Sequence, residues 1–315
     1  MFYCRIPCFW ALFFILSACA HSEPFKTEVH QCQLANKSLS EIIARQTKVG
    51  IIPEEQTQIF EPQNQNVLAV AVVMHGLNQK PMRMNELSLE LAKRGILGVR
   101  GVLTGHGGEP DRLKTVTRAE WLTDTHETYC LAEEFATRFH VPLVGVGFSL
   151  GGLMISDLAT SPEYTGVQFD RVFFLAPALT ISWRGKLTRL FSALHFLSIP
   201  SANREDNRSS RYTPVPAYNA LFDSVYEIQR RGFASIPFSA LSFIDPDDEL
   251  VNAAELERLS KERSGRFPWE FEFITRGPDA SIKEYHHILF ESRFLGSAAW
   301  NRMVSRGVDF LLKKS

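Results

Sequence analysis

From residue 67 onward, short apolar runs alternate with longer stretches whose apolar positions recur at helical spacing. The runs are Val67–Met74, Ile96–Leu103, Val141–Phe148, Arg171–Ala176, Pro237–Ile244 and Trp269–Thr275. Most are apolar at consecutive positions, which suits strands buried on both faces of a mainly parallel sheet. The stretches between them predict helices over Met82–Arg94, Ala119–Phe139, Leu150–Ala159, Ala253–Arg263 and Ser297–Leu312. Strand–helix alternation of this kind predicts an α/β fold, a mainly parallel sheet flanked by helices.

One interval breaks the rhythm. Residues 178–235 lie between two predicted strands and are far longer than a usual connection, so they form an insertion of the lid or binding-element type. Inside it Trp183, Leu187, Leu190, Phe191, Leu194 and Leu197 share one face of a helix. That face serves either as a lid over an apolar cleft or as packing against the core. Asn203–Arg211 reads as a polar surface turn without chemistry. Upstream, Ala20 to about Gln65 is polar, with Pro53, Pro62 and a Gln/Asn-rich stretch, and predicts a tether plus an edge element. The expected division is therefore 1–18, an extension over 19–60, and one domain over 61–315.

The first segment reads as an address. Arg5 precedes a short apolar core, Phe9–Leu16, and Pro7 and His21 bracket a stretch well short of the roughly 20 residues a membrane-spanning helix needs. Leu16-Ser17-Ala18-Cys19 resembles the lipobox of bacterial lipoproteins. The resemblance implies cleavage before Cys19, acylation of that cysteine with palmitate-type chains, and a lipid anchor in the cell envelope. Ala20 after the cysteine implies the outer membrane, on its periplasmic side, where the host is Gram-negative. Of the five cysteines, Cys4 and Cys8 leave with the signal and Cys19 carries lipid. Cys32 and Cys130 remain, an even pair in an oxidising compartment and available for a disulfide.

Composition narrows the class. The 315 residues are 45% hydrophobic, and 34 basic residues nearly balance 35 acidic ones. A disordered chain would hold fewer apolar residues and more net charge. No basic run marks a nucleic-acid surface, and a nucleic-acid partner is not expected.

The chemistry concentrates at Gly147-Phe148-Ser149-Leu150-Gly151, followed by Gly152. This is the Gly-x-Ser-x-Gly pattern of a nucleophile elbow, with a strand before it and a helix after it. A serine needs a positioned base, itself oriented by an acid. Tyr285-His286-His287 follows the last predicted strand, and Asp245-Pro246-Asp247-Asp248-Glu249-Leu250-Val251 follows strand Pro237–Ile244. The order serine, acid, histidine is that of α/β-hydrolases.

With these motifs, residues 60–312 resemble the lysophospholipase, monoacylglycerol-lipase and carboxylesterase branch of the α/β-hydrolases. Further markers are Met74-His75-Gly76-Leu77 and Thr104-Gly105-His106-Gly107-Gly108. The resemblance implies an oxyanion hole built from the backbone N–H groups of Leu77 and Leu150, and a structural role for His106. Aligning Val251 with the valine of the family's Gly-x-x-Asp-x-x-Val turn implies Asp248 as the acid. Asp245 then stands where glycine is usual, which keeps Asp245 and Asp247 open. The residues alone leave His286 and His287 equal. Many relatives carry an acid five positions after the histidine, and Glu291 in that place implies His286. A zinc site built on His75, His106, His286 and His287 fails on spacing. Neither metal nor other cofactor is expected. The implied function is hydrolysis of carboxylic esters, acyl esters of the lysophospholipid or monoacylglycerol type, at a membrane reached through Cys19. A non-catalytic envelope lipoprotein that keeps the fold for binding, and a related serine aminopeptidase or thioesterase, are the alternatives.

Overall fold

The computed structural model describes residue 32 and residues 37–63, 65–201, 203–263, 267–282 and 284–313. Residues 1–18, expected to be a signal segment, and Cys19 lie outside the described residues. Along the chain run α1 (Leu39–Lys48), β1 (Gln58–Phe60), β2 (Ala69–Met74), α2 (Asn85–Ala92), β3 (Ile96–Arg100) and α3 (Arg118–Phe139). Then come β4 (Leu143–Phe148), α4 (Leu150–Thr160), β5 (Arg171–Leu175), α5 (Trp183–Lys186), β6 (Ser198–Pro200) and β7 (Tyr212–Pro214). The last elements are α6 (Val215–Arg231), β8 (Ser239–Ile244), α7 (Ala253–Glu262), β9 (Trp269–Phe273), α8 (Ser292–Leu295) and α9 (Ser297–Leu311).

Seven strands form one sheet in the order β1-β3-β2-β4-β5-β8-β9. Only β1 runs antiparallel to its neighbour; the pairs from β3 through to β9 are parallel. Every residue of β2 and β4 is buried, which accounts for their unbroken apolar runs. Two groups of helices cover the sheet. α3 and α4 pack on β2 and on each other, while α2 and α9 contact one another and pack on β3, β5 and β8. The α/β architecture is the one the alternation predicts.

The polar N-terminal stretch is more ordered than its composition implies. Ser38 caps α1 and shares a capping box with Glu41, so a short polar helix gains satisfied first-turn donors. Ile42 is buried in the core, and β1 closes the sheet edge, pairing Gln58 with Arg100. The packed body thus begins upstream of residue 61. Cys32 and Cys130 are joined as a disulfide, which ties this extension to α3.

The insertion departs from the expected single helix. α5 is one turn and continues as a 3-10 turn over Leu187–Phe191. Trp183 is 68% exposed, Leu190 77% and Phe196 81%, so this apolar face is not packed on the core. The insertion's long helix is α6, over a stretch for which the sequence pattern predicts no helix. α6 is fastened to the body at its C-terminal end, where Arg231 and Arg118 both bind the fully buried carboxylate of Asp157. Among the described residues, no helix is long and apolar enough to cross a membrane.

Candidate active site

β4 ends at Phe148, and the chain then reverses into α4 through Ser149, whose φ is +50°. A non-glycine residue at positive φ is uncommon and must be held there by its surroundings. The Ser149 N–H donates to the carbonyl of Leu175 at 2.9 Å, and its own carbonyl accepts from Ala178 N at 2.9 Å. The flanking glycines leave room for the reversal. A Cβ on Gly151 would lie 2.2 Å from the carbonyl oxygen of Met74, and one on Gly147 would lie 2.6 Å from Gly152 Cα. Only hydrogen fits at either place.

The structure brings Ser149, His287 and Asp248 together. His287 Nε2 lies 2.8 Å from Ser149 Oγ, and His287 Nδ1 lies 2.8 Å from Asp248 Oδ2. The other carboxylate oxygen of Asp248 accepts the N–H groups of Leu250 and Val251, both at 2.8 Å. The acid is therefore held by three hydrogen bonds, with its side chain excluded from solvent. Phe148 packs against the His287 ring, centroid to centroid 5.1 Å, and is itself backed by Phe290.

His286 is a correction. Its ring faces Glu249 instead, with Nδ1 at 3.0 Å from Glu249 Oε1. Glu249 also accepts the backbone N–H groups of His286 and His287, at 3.0 and 3.2 Å. Burial pushes the Glu249 carboxyl up, but these hydrogen bonds outweigh it and leave it below its ordinary value. Glu291, the residue that favoured His286, pairs with Arg83 and Arg293 and so carries no information about register. Of the other acids, Asp245 is buried and accepts the Asp247 N–H at 3.0 Å, shaping the turn, while Asp247 is exposed.

Leu150 opens α4, so its N–H has no acceptor within the helix and lies at the positive end of the helix dipole. Leu77 lies in the loop after β2. Two buried histidines shape that loop. His75 Nε2 accepts the Leu103 N–H at 3.1 Å, and His106 Nε2 accepts the Asn78 N–H at 2.9 Å. An accepting Nε2 leaves the proton on Nδ1, which donates to Gly76 O from His75 and to Leu103 O from His106. Burial holds both rings neutral, with His106 pushed down to about 4 and His75 well below the usual imidazole range.

Beside Ser149 opens a cleft with about 700 Å³ of atom-free space, part of it open to solvent. Its lining includes the apolar Ile181, Leu221, Phe222, Leu250 and Val251 and the polar Asn78, Ser201, Asn203, Thr213 and Tyr218. Outside this cleft, two groups among the described residues gather metal-type ligand atoms within 4.8 Å. Cys32, His126 and Cys130 form one, where both sulfurs are spent in the disulfide. Asp245, Asp247 and His286 form the other, where the Arg276 guanidinium already supplies positive charge to Asp245.

Sequence reasoning passed over Glu249, Asn78 and Asn203. The Asn203–Arg211 segment is not an idle turn: Asn203 donates to the carbonyls of Leu77 and Asn78, at 3.0 and 2.9 Å. Nothing in local composition marks such a contact, since its partners are more than 120 residues away.

Comparison with known proteins agrees with the fold. Residues 65–223 match the family described as serine aminopeptidase, S33. No curated protein sequence matches the chain. Among solved structures, one described with LipS and LipT, two metagenome-derived lipolytic enzymes, has 19% identity and a TM-score of 0.64, covering 84% of this chain and all of its own. A soluble variant of monoglyceride lipase from Saccharomyces cerevisiae, in complex with a substrate analog, has 11% identity and a TM-score of 0.65, covering 82% and 95%. The Paleococcus ferrophilus monoacylglycerol lipase has 16% identity and a TM-score of 0.60, covering 82% and 98%. At these identities the likeness is one of fold.

Proposed function

The chain belongs to the serine aminopeptidase S33 family of α/β-hydrolases, and on that footing we propose that it is a serine esterase acting on acyl esters through Ser149, His287 and Asp248. The observation that carries this reading is the hydrogen-bonded chain from Ser149 through His287 to Asp248 beside a mainly apolar cleft.

In this mechanism His287 Nε2 takes the Ser149 hydroxyl proton as Oγ attacks the ester carbonyl. Asp248 keeps the imidazole in the Nδ1–H tautomer and stabilises the imidazolium that forms. The N–H groups of Leu77 and Leu150 receive the oxyanion, and two such fixed donors contribute several kcal/mol, about 3 each. Collapse of the tetrahedral intermediate breaks the C–O bond, and the alcohol leaves with the proton from His287. Water, deprotonated by the same imidazole, then releases the acid and restores Ser149.

The cleft favours an acyl chain over a peptide N-terminus. An aminopeptidase has to receive an α-ammonium group, and none of the described residues lining the cleft is Asp or Glu. A buried cation without a carboxylate would be strongly disfavoured. The exposed apolar residues Trp183, Leu190 and Phe196 support a lid that rests on lipid, and so substrates of the monoacylglycerol or lysophospholipid type. With the lipobox resemblance of Leu16–Cys19, the proposal extends to a bacterial envelope protein anchored through Cys19, at the outer membrane on its periplasmic side where the host is Gram-negative. The Cys32–Cys130 disulfide suits that oxidising location.

Aryl esters of graded acyl length, assayed beside the matching aryl amides of amino acids, test the reading. Turnover of esters, with an optimum at medium or long chains, is expected. Preference for the amides, or no ester turnover by folded protein, would overturn it.

A further inference from the structure

The loop that presents Leu77 is held from two sides, by His75, His106 and Gln79 of the body and by residues of the insertion. Asn78 sits at φ +49°, a conformation that a non-glycine residue keeps only under outside restraint. Its carboxamide exchanges two hydrogen bonds with the Ser210 backbone, at 2.9 and 2.7 Å, and donates to Thr213 Oγ1 at 2.9 Å. One residue further on, Gln79 forms an isolated antiparallel bridge with Arg208.

Peptide planarity turns these contacts into a statement about the Leu77 N–H. In a trans peptide the C=O and N–H point to opposite edges of one plane. The Gly76 carbonyl accepts from His75 Nδ1 and from Gln79 N, which fixes the plane carrying the Leu77 N–H. The next plane is gripped from both edges: Asn203 Nδ2 donates to the Leu77 carbonyl at 3.0 Å, and His106 Nε2 accepts the Asn78 N–H at 2.9 Å. With both planes fixed, φ and ψ of Leu77 are fixed. Asn203 also donates to the Asn78 carbonyl at 2.9 Å, so one carboxamide nitrogen ties two successive carbonyls.

We infer that Asn203, a residue of the insertion, is a positioning residue of the oxyanion hole, so that docking of the insertion and assembly of the Leu77 donor are a single event. The inference rests on the esterase reading, in which Leu77 N–H stabilises the oxyanion. An insertion lifted away from residues 77–80 would leave Ser149, His287 and Asp248 aligned but the Leu77–Asn78 peptide plane gripped from one edge only, by His106. Acylation then depends on the insertion even for small soluble esters that need no lid.

The test uses the full chain with Asn203→Ala and Asn203→Asp, the second keeping the side-chain volume while removing both donated hydrogen bonds. Active sites are titrated with a fluorophosphonate, so that rates refer to competent protein and not to the folded fraction. The expected result is a kcat per titrated site lowered about 10- to 100-fold, with KM for a short aryl ester within about threefold of wild type. Affinity for an aryl boronic acid, which forms a tetrahedral adduct on serine, should weaken in step with kcat/KM. A merely structural role would lower thermal stability and the number of titrated sites without changing kcat per site. If Asn203→Ala does not fold, Asn203→Asp carries the test. Variants within threefold of wild type in kcat per site and boronate affinity, beside an active wild type, overturn this inference alone. A wild type that neither labels nor turns over ester overturns the esterase reading and this inference with it.

Discussion

Replacing His287 and His286 one at a time separates two histidines that the sequence leaves adjacent and equal. His287 stands 2.8 Å from both Ser149 Oγ and Asp248 Oδ2, so His287→Ala removes the base and leaves Asp248 buried without its partner. Loss of the base in a serine triad costs about 10⁴- to 10⁶-fold in kcat, roughly 5–8 kcal/mol of transition-state stabilisation. His286→Ala removes a ring contact to Glu249 at 3.0 Å whose partners are about one-third exposed, 31% and 27% by side chain. The two backbone N–H bonds to Glu249 survive that change. A partly exposed contact of this kind is worth about 1 kcal/mol or less, so kcat should stay within about fivefold. Initial rates on a short aryl ester, normalised to folded protein by circular dichroism, measure both. Full activity in His287→Ala, or a loss in His286→Ala as deep as that expected of His287→Ala, would refute the assignment.

Three further outcomes follow from the same structure. His106 is buried with its pKa lowered to about 4 from 6.5, so unfolding takes up a proton between those values and stability falls as the pH drops from about 6.5 to 4. Asp124, raised by burial to about 6, works in the opposite sense over about pH 4–6, so the difference between wild type and His106→Gln isolates the histidine. Urea titrations should show a pH slope shallower by about 1.4 kcal/mol per unit in the variant, and an unchanged slope would contradict the buried neutral ring. The Cys32–Cys130 bond spans 98 residues; its loss in Cys32→Ser should cost about 4.7 kcal/mol by loop-closure entropy, whereas an unchanged urea midpoint would show that the cross-link adds nothing. Leu190→Ser with Phe196→Ser should lower turnover of vesicle-borne monoacyl esters at least about fivefold while sparing soluble short esters; equal effects on both would argue against a lipid-facing lid.

The parts legible in the sequence were those set by local rules. Consecutive burial in β2 and β4 leaves an apolar run that any strand of a covered parallel sheet must have, and the Ser149 turn needs glycines at 147 and 151 for lack of space. α1 left a signal too, in Ser38 and Glu41 three residues apart, but the polar composition around it argued for a tether. The histidine choice failed because adjacent residues in a turn point to different partners, and which one meets Ser149 depends on the path after Tyr285, at φ +62°. The grip of Asn203 on residues 77 and 78 had no local signature at all. It arises from the docking of an insertion across more than 120 residues of chain.

The proposed chemistry stands or falls with Ser149 as the nucleophile. Fluorophosphonate treatment of soluble protein from residue 20 onward, with peptide mapping of the adduct, tests it most directly. A single adduct on Ser149 is expected, accompanied by loss of ester turnover, and neither label nor turnover in Ser149→Ala. Folded wild-type protein that takes no label, or takes it on a serine other than Ser149, would contradict it.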